Sequence, residues 1–385
     1  MQLATLAFPV LASLSAATSL AAATIQGGDN PLACRRDGPK DLVRTDAPAA
    51  DALRFALDFL SRTQAKEGRW DADGFLGERT EAAGPGQAMV DIGVTSLALL
   101  AMLGEHDKLQ GNPYETSIRR GIDWLAQQQD EEGVVGARAR QTYMYDHALA
   151  SLVMAEAVAA GADGAIEKSA QAALDALEAH RNPYGVWRYG KRDGDNDSSV
   201  TAWASLAMLV GRDAGLVVKA QTLALIPSWY EAMTDAKTGR CGYTTAGGRS
   251  SRDRGEHADL FPPEKGEAMT AAALVVRQLA GTDKDLSAST ALVLQCPPSW
   301  EKDTADDYYW CFASLAVALR RESDAATRAW RKTLVDLLVM HQRKDRDLLG
   351  SFDPIGPWGH TGGRIYATAL AAIALQAPYR YRARR

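Results

Sequence analysis

Three aspartates stand close together in the segment DGDNDSSVTAW, which occupies residues 193–203. Two kinds of chemistry fit this pattern. A carboxylic acid that an apolar wall and neighbouring carboxylates keep neutral can donate a proton to an alkene or an epoxide. An aspartate directly before a helix can instead accept the free amide protons of the first turn. Capping accounts for Asp197 and leaves Asp193 and Asp195 unexplained, except as solvated residues of a loop.

Polar and aromatic side chains also stand near the starts of other apolar segments. If these segments are helices packed side by side, their starts converge and form one pocket. Taken singly, each such residue also fits a helix cap or a buried core group. The candidate ligand-binding residues are Trp203, His147, Tyr145, Tyr309, Trp310, Glu267 and Tyr366.

The elements that position these residues form a repeat. Six segments are alanine-rich and apolar nearly all round, beginning at Asp91, Tyr143, Asp197, Gly266, Asp306 and Gly363. Six others are amphipathic and alternate with them, beginning at Ala50, Ser117, Ile166, Leu216, Leu286 and Ala326. Helices that are apolar all round are buried on both sides, whereas helices with a polar face lie outside. The sequence therefore predicts an all-α fold, an α6/α6 toroid with two concentric rings of six helices.

A short motif recurs in the loops between these segments. Residues 64–70 hold Gln followed by Gly-x-Trp, residues 180–187 hold it with His for Gln, and residues 342–352 hold it with Phe for Trp. On these repeats the chain, from about residue 50 onward, resembles the terpenoid cyclase and protein prenyltransferase superfamily, with its squalene-cyclase-like toroid. The resemblance implies the fold more strongly than the function, because the superfamily includes cyclases, transferases and thioester-containing binding domains.

Two branches of that superfamily fit the sequence poorly. Its transferases hold zinc with an Asp and a Cys two residues apart and a later His, and the equivalent positions here are Glu267, Met269 and Trp310. Met is a poor zinc ligand and Trp is none, so we expect no metal and no other cofactor. The thioester branch has Gly-Cys-Gly-Glu-Gln, of which the segment around Cys241 keeps only Cys-Gly.

The class II terpenoid cyclases of the superfamily carry Asp-x-Asp-Asp, whose middle Asp protonates the substrate. Residues 193–196 read Asp-Gly-Asp-Asn, so the resemblance implies Asp195 as donor, with Asp193 and Asp197 beside it. Aromatic faces would stabilise the cation that follows. The chain departs from the family at Asn196, in the residues between the motif and Thr-Ala, and in having one toroid where those cyclases use a cavity between two helical domains.

The N-terminal residues resemble an export signal. They carry no charged side chain before Asp29, and Ala21 and Ala23 form an A-x-A cleavage pattern. We interpret residues 1–23 as a signal peptide, 24–48 as a linker and 49–385 as a single toroid domain, which predicts a secreted or periplasmic protein. A disordered start is the alternative, because no Lys or Arg precedes the apolar run.

The cysteine count agrees with export without requiring it. The four cysteines are even in number, as disulfides in an oxidising compartment need, although Cys311 fits a buried thiol equally well. Glu156 stands mid-helix among apolar residues, where a carboxylate needs a partner, and we expect Arg277 or Arg320.

Composition narrows the choice of partner. The chain has 385 residues, 46% of them hydrophobic, and a net charge of −5, which is ordinary for a globular protein and gives no basic patch for nucleic acid. No apolar run after the signal is long enough for a transmembrane helix, and association with a membrane surface is left open.

Three functions remain after these exclusions. The resemblance favours a toroid that binds an isoprenoid or another apolar molecule at its mouth, with cyclisation initiated by Asp195. The alternatives are a non-catalytic toroid that binds a protein or peptide, and a carbohydrate-active α6/α6 enzyme with two carboxyls facing each other across a groove.

Overall fold

The structure, a computed structural model, describes residues 32–138, 143–183, 185–252, 255–301, 303–320 and 324–383. The predicted signal peptide, residues 1–23, lies outside these ranges. The helices are α1 (Gly38–Thr45), α2 (Ala47–Thr63), α3 (Asp91–Leu103), α4 (Glu115–Gln127), α5 (Tyr143–Ala159), α6 (Gly164–His180), α7 (Ser198–Asp213), α8 (Ala220–Met233), α9 (Glu256–Leu260), α10 (Ala268–Ala280), α11 (Ser287–Gln295), α12 (Asp307–Leu319), α13 (Ala325–His341) and α14 (Gly359–Arg380).

Twelve of these helices form two rings. In the inner ring α3, α5, α7, α10, α12 and α14 each pack against the next, and α14 packs against α3, so the ring closes. Outside it lie α2, α4, α6, α8, α11 and α13. The predicted α6/α6 toroid is confirmed, and the six alanine-rich segments supply the inner ring.

Burial follows the apolar pattern of each helix. In α12 every residue except Ala318 is buried, as expected for a helix covered on both sides. In α4 the buried residues are Ser117, Ile118, Gly121, Ile122 and Leu125, which recur at three- and four-residue spacing and form one face.

The recurring glutamine joins neighbouring outer helices. Gln64 Nε2 donates to the carbonyl of Gly68 in its own loop at 2.8 Å and to that of Ser117 in α4 at 2.9 Å. Gln342 does the same with Gly350 and with Ala52 in α2, at 2.9 and 2.7 Å. The motif is therefore a structural tie between consecutive repeats, which explains why it indicates the fold and not a reaction.

The segment expected as a linker contributes packed structure. Of residues 24–48, the described part includes α1, which packs on α2 and α14, and a 3₁₀ turn that ends at Arg35. Arg35 is fully buried and bonds to Glu156, the carboxylate for which we expected Arg277 or Arg320. That expectation is wrong, because Arg35 and Arg380 supply the positive charge.

Two further expectations concern cysteines and membranes. Cys34, Cys241, Cys296 and Cys311 are all free thiols, so the even count does not reflect disulfides. Cys311 is buried, as its apolar surroundings in the sequence indicate. Among the described residues, no helix is long and apolar enough to span a bilayer.

Candidate functional site

The starts of the inner helices meet at one end of the toroid, which we call the mouth. Ser199, the second residue of α7, lies with its Oγ 3.0 Å from the hydroxyl of Tyr308, the second residue of α12. Asp146 near the start of α5 lies against Gly93 near the start of α3, where a Cβ on the glycine would be 2.8 Å from Asp146 Oδ1. Residues far apart in sequence therefore converge here.

Asp197 caps α7, as the sequence predicts. Its Oδ1 accepts the amide protons of Ser199 and Val200, both at 2.8 Å. Oδ2 accepts the Tyr243 hydroxyl at 3.2 Å and lies 3.7 Å from Arg188 Nε. Burial raises the pKa of Asp197 to about 6, against the lowering effect of the two amides. The cap is thus a buried carboxylate that titrates near neutral pH.

The other two aspartates of the cluster lie in the loop before α7. The side chain of Asp195 is 70% exposed and pairs with Arg188 Nη1 at 3.1 Å. Asp193 accepts the amide protons of Gly190 and Asp195 at 2.8 and 3.1 Å, and so shapes the turn. A proton donor for an alkene needs a site from which water is excluded, and Asp195 does not have one.

A different aspartate has the environment that we expected for Asp195. Asp307, the first residue of α12, is 4% exposed, and its Oδ2 has no hydrogen-bond partner among the described residues. Burial, and then the neighbouring charge of Asp306, raise the pKa of Asp307 to about 7. Burial therefore favours the neutral form of this carboxyl.

The neighbour of Asp307 has both of its carboxylate oxygens engaged. Asp306 caps α12 through Oδ1, which accepts the Tyr309 amide at 2.9 Å, while Oδ2 pairs with Arg252 at 3.0 Å. Opposite α12, the loop before α14 lies against Asp307, and a Cβ on Gly356 would be only 2.8 Å from Oδ2. Only glycine allows this close approach.

Aromatic side chains lie near Asp197 and Asp307. The Trp203 ring lies 6.1 Å from that of Tyr308 and 4.9 Å from that of Phe312, measured between centroids. These aromatic side chains therefore fill part of the toroid interior between α7 and α12. Tyr145 and Tyr366 are partly exposed. Burial and then the charge of Asp307 raise the pKa of Tyr366, and burial and then that of Asp197 raise the pKa of Tyr145, so each phenol stays neutral beside an acid.

Four of the residues predicted to bind a ligand lie elsewhere or are already engaged. The Tyr309 hydroxyl donates to the Cys296 carbonyl at 2.6 Å, and Trp310 stacks on Trp300 at 5.6 Å, so both side chains already have partners. Glu267 pairs with Arg240 at 2.6 Å and accepts from Thr270. His147 accepts the Val135 amide at 3.2 Å, and burial lowers its pKa to about 3.

The engaged state of Glu267 also bears on metal binding. The positions equivalent to the transferase zinc ligands offer an ion-paired carboxylate, a thioether and an indole, which do not fit zinc. Elsewhere among the described residues, oxygens of Asp71, Asp73 and Asp91 lie within 4.8 Å of one another. The Arg69 guanidinium contacts Asp71 at 2.8 Å and also Asp91, so an ion pair occupies this cluster.

Sequence reasoning reached the segment that contains Asp307 but did not select it. We placed Tyr309 and Trp310 in the pocket because polar and aromatic residues stand at the start of this inner helix, in DDYYWC. The informative feature was the doubled aspartate, since only one of two adjacent residues can be the N-cap. The other is left at the first helical position, where burial decides its protonation.

Solved structures share the fold at low sequence identity. An alpha-amylase from Clostridium perfringens matches with a TM-score of 0.56 and 11% identity over 85% of this chain and 97% of its own. The type II terpene cyclase MstE from Scytonema matches at 0.54 and 16%, over 86% and 99%. A GH76 alpha-mannanase from Bacteroides thetaiotaomicron matches at 0.56 and 10%, over 89% and 98%.

These similarities establish the α/α toroid and leave the reaction undetermined. The neighbours are similar to this chain over nearly their whole length but act on different classes of molecule. No protein-family model matches the sequence, and no curated protein matches it. The fold expected from the resemblance is confirmed, and the function must be argued from the site.

Proposed function

We propose that this protein is an acid-initiated enzyme that binds an isoprenoid or another unsaturated apolar molecule at the mouth, with Asp307 as proton donor. The observation that carries the proposal is the environment of Asp307: its carboxyl is buried, and Oδ2 has no hydrogen-bond partner among the described residues. Burial favours the neutral form of this carboxyl by raising its pKa. A carboxyl in this state can donate a hydrogen bond or a proton, whereas an ionised or fully engaged carboxylate cannot.

The step needs only the carboxyl and an alkene. The O–H bond of Asp307 breaks, the proton bonds to one alkene carbon through the π-electron pair, and the other carbon becomes a carbocation beside an Asp307 carboxylate. Aromatic faces attract such a cation. Trp203 packs on Tyr308, the residue after Asp307, and Tyr366 lies within electrostatic range of Asp307. A second alkene of the same ligand can attack the cation to close a ring.

Asp306 and Arg252 support the neutral state of Asp307. Arg252 pairs with Asp306 at 3.0 Å, and the side chains of both are about one-twentieth exposed. The ion pair keeps Asp306 in position as a helix cap. The negative charge of Asp306 disfavours ionisation of the adjacent Asp307 carboxyl. Of the two adjacent acids, only Asp307 has a buried oxygen without a hydrogen-bond partner among the described residues.

A carbohydrate-active enzyme is the second candidate, favoured by the amylase and mannanase neighbours and by the presence of two acids at the mouth. A glycosidase needs a second carboxylate that can reach a water molecule or the sugar. Both oxygens of Asp306 are engaged, by the Tyr309 amide and by Arg252. Asp197 is engaged in the same way by two amides and Tyr243, so neither acid is available as the partner.

Turnover in heavy water tests the proposal. The purified protein is incubated in D₂O with farnesol, geranylgeraniol or squalene, and the products are examined by mass spectrometry for one deuterium on carbon. We expect Asp307→Asn to lower turnover by about 10²–10⁴-fold, the usual contribution of a positioned acid. Asp195→Asn, which changes an exposed acid of the same mouth, is the matched control and should retain activity.

Three results would count against the proposal. Full activity of Asp307→Asn would remove the donor. Hydrolysis of starch or α-mannan without isoprenoid turnover would favour the carbohydrate-active alternative. Saturable binding of a peptide with no turnover of any of these compounds would favour the non-catalytic toroid.

A further inference from the structure

A chain of hydrogen bonds joins the second buried acid of the mouth to two phenols. The Tyr243 hydroxyl donates to Asp197 Oδ2 at 3.2 Å, and the hydroxyls of Tyr189 and Tyr243 lie 2.6 Å apart. An ionised carboxylate only accepts, and a phenol has one proton to donate. Because the Tyr243 proton is committed to Asp197, Tyr189 must donate to Tyr243. The protons of the chain therefore all point toward Asp197.

The two ends of this chain differ in access. Asp197 is fully buried, and its Oδ1 is occupied by two backbone amides. Tyr189 at the other end is partly exposed, and its ring lies 6.2 Å from that of Tyr145, which is also partly exposed at the mouth. A ligand can therefore contact the phenol end of the chain but not the carboxylate.

We propose that Tyr189, Tyr243 and Asp197 form a proton-accepting relay that ends the reaction begun by Asp307; this inference rests on the proposed function. A C–H bond next to the carbocation breaks, and its electron pair forms a C=C bond. The proton goes to the Tyr189 oxygen, the Tyr189 proton passes to Tyr243, and the Tyr243 proton passes to Asp197 Oδ2. Asp197 ends neutral and the ligand leaves as an alkene.

Tyr308 connects the helix that carries the donor with the helix that Asp197 caps. Tyr308 follows Asp307 on α12, and its hydroxyl reaches across to Ser199 Oγ on α7 at 3.0 Å. Asp197 is the cap of α7, so Tyr308 lies between the helix that carries the donor and the helix that carries the acceptor.

Groups on several elements set the charge of Asp197. Arg188 lies 3.7 Å away and also stacks on Tyr189 and Tyr243, with its guanidinium carbon 5.1 and 6.0 Å from their ring centroids. Tyr145 of α5 and Tyr308 of α12 are neutral phenols within electrostatic range. Arg188 is the nearby cation, and two backbone amides donate to Asp197. Asp197 is therefore mostly ionised above its pKa of about 6 and can accept a proton.

The first test follows the fate of the cation. With whichever of farnesol, geranylgeraniol or squalene is turned over, the wild type should form an alkene. Tyr189→Phe, Tyr243→Phe and Asp197→Asn should shift the ratio of hydrated alcohol to alkene by about tenfold or more, because water replaces the missing acceptor. Asn keeps an oxygen for the helix cap, so folding is retained. Tyr309→Phe, which removes a phenol outside the chain, is the matched control.

The second test needs no turnover. Infrared difference spectra of the full protein between about pH 5 and pH 8 should show one carboxyl band that is absent in Asp197→Asn. The titration midpoint of this band should rise in Tyr243→Phe, because the carboxylate loses a hydrogen-bond donor. An unshifted midpoint, or no carboxyl that depends on Asp197, would overturn the relay.

The two proposals fail in different ways. Loss of turnover in Asp307→Asn together with an unchanged product ratio in Tyr243→Phe overturns the relay and leaves the donor in place. Retained turnover in Asp307→Asn overturns the proposed function, and with it the relay as a step of that reaction.

Discussion

Arg35 and Glu156 form a bidentate ion pair at the end of the toroid away from the mouth, with donor to acceptor distances of 2.8 and 2.9 Å. Both side chains are fully buried. Arg35 also donates to the carbonyls of Leu103 at the end of α3 and Arg380 at the end of α14. The segment before α1 thus supplies a positive charge to the carboxyl ends of inner helices, where the helix dipole favours it.

Removal of Arg35 should destabilise the protein strongly. Among the described residues, Arg35→Ala leaves Glu156 with Arg380 and Tyr381 as partners in a buried site. Breaking a buried pair in this way typically costs about 3–5 kcal/mol. Urea unfolding measures the change, with Arg44→Ala as the control, because Arg44 is an exposed arginine of α1. A loss no larger than that of the control would contradict the structural role.

The same network predicts acid sensitivity. Although burial acts to raise it, the charges of Arg35 and Arg380 lower the pKa of Glu156 from 4.5 to about 2. Because the folded-state pKa is depressed, the stabilisation is present above about pH 4.5 and is lost as the pH falls toward 2. The free energy of unfolding, plotted against pH over this range, should have a smaller slope in Glu156→Gln than in the wild type. An identical slope would contradict the pairing.

Asp197 and Asp195 should differ in their effect on stability. Asp197→Ala removes two hydrogen bonds to the first turn of α7, and loss of such a cap costs about 0.5–2 kcal/mol. Asp195→Ala removes an exposed acid and should leave the melting temperature unchanged within error. Thermal unfolding of the two variants side by side decides the matter, and equal effects would show that the cap is unimportant.

Asp307 should make the protein less stable as the pH rises. Its folded-state pKa is raised from 3.8 to about 7, so the stability that it contributes is complete below about pH 4 and is lost as the pH rises through 7. The shift corresponds to about 4 kcal/mol at most. Asp307→Asn should flatten urea-unfolding stability between pH 5 and 8, whereas an unaltered pH profile would mean that Asp307 is already ionised.

Zinc should not copurify with the protein in stoichiometric amount. Met269 and Trp310 occupy ligand positions of the transferase site, and Glu267 is committed to Arg240. Elemental analysis of purified protein is the measurement, and added chelator should leave the melting temperature unchanged. One zinc per chain would show that this expectation is wrong.

Export predicts a mature N-terminus near Thr24, after the A-x-A pattern of Ala21 and Ala23. Mass spectrometry of protein recovered from its native host tests this, because the first peptide identifies the cleavage position. An intact Met1 in a cytoplasmic fraction would refute it and the secreted or periplasmic location together.

Periodicity in the sequence predicted the architecture because it reports which face of each helix is covered. Alternation of apolar and amphipathic helices leaves few other arrangements, and the cap at Asp197 followed from purely local chemistry. The partner of Glu156 did not, because Arg35 lies 121 residues away in the chain and only the closed ring brings it near. Asp307 was missed for a related reason: its protonation depends on burial by Gly356 and the loop before α14, which no local pattern encodes.

The closure of the inner ring has a consequence for how the chain folds. In the inner ring, α14 packs between α12 and α3 and so closes the ring. It is the last of the described helices along the chain, and it also packs on α1 and α2. These contacts span most of the polypeptide, and long-range contacts of this kind slow the search for the native state. Until α14 docks, the early repeats keep apolar faces in water and are exposed to aggregation. A chaperone that holds the N-terminal repeats until α14 is available would therefore act at the step where this topology is most vulnerable.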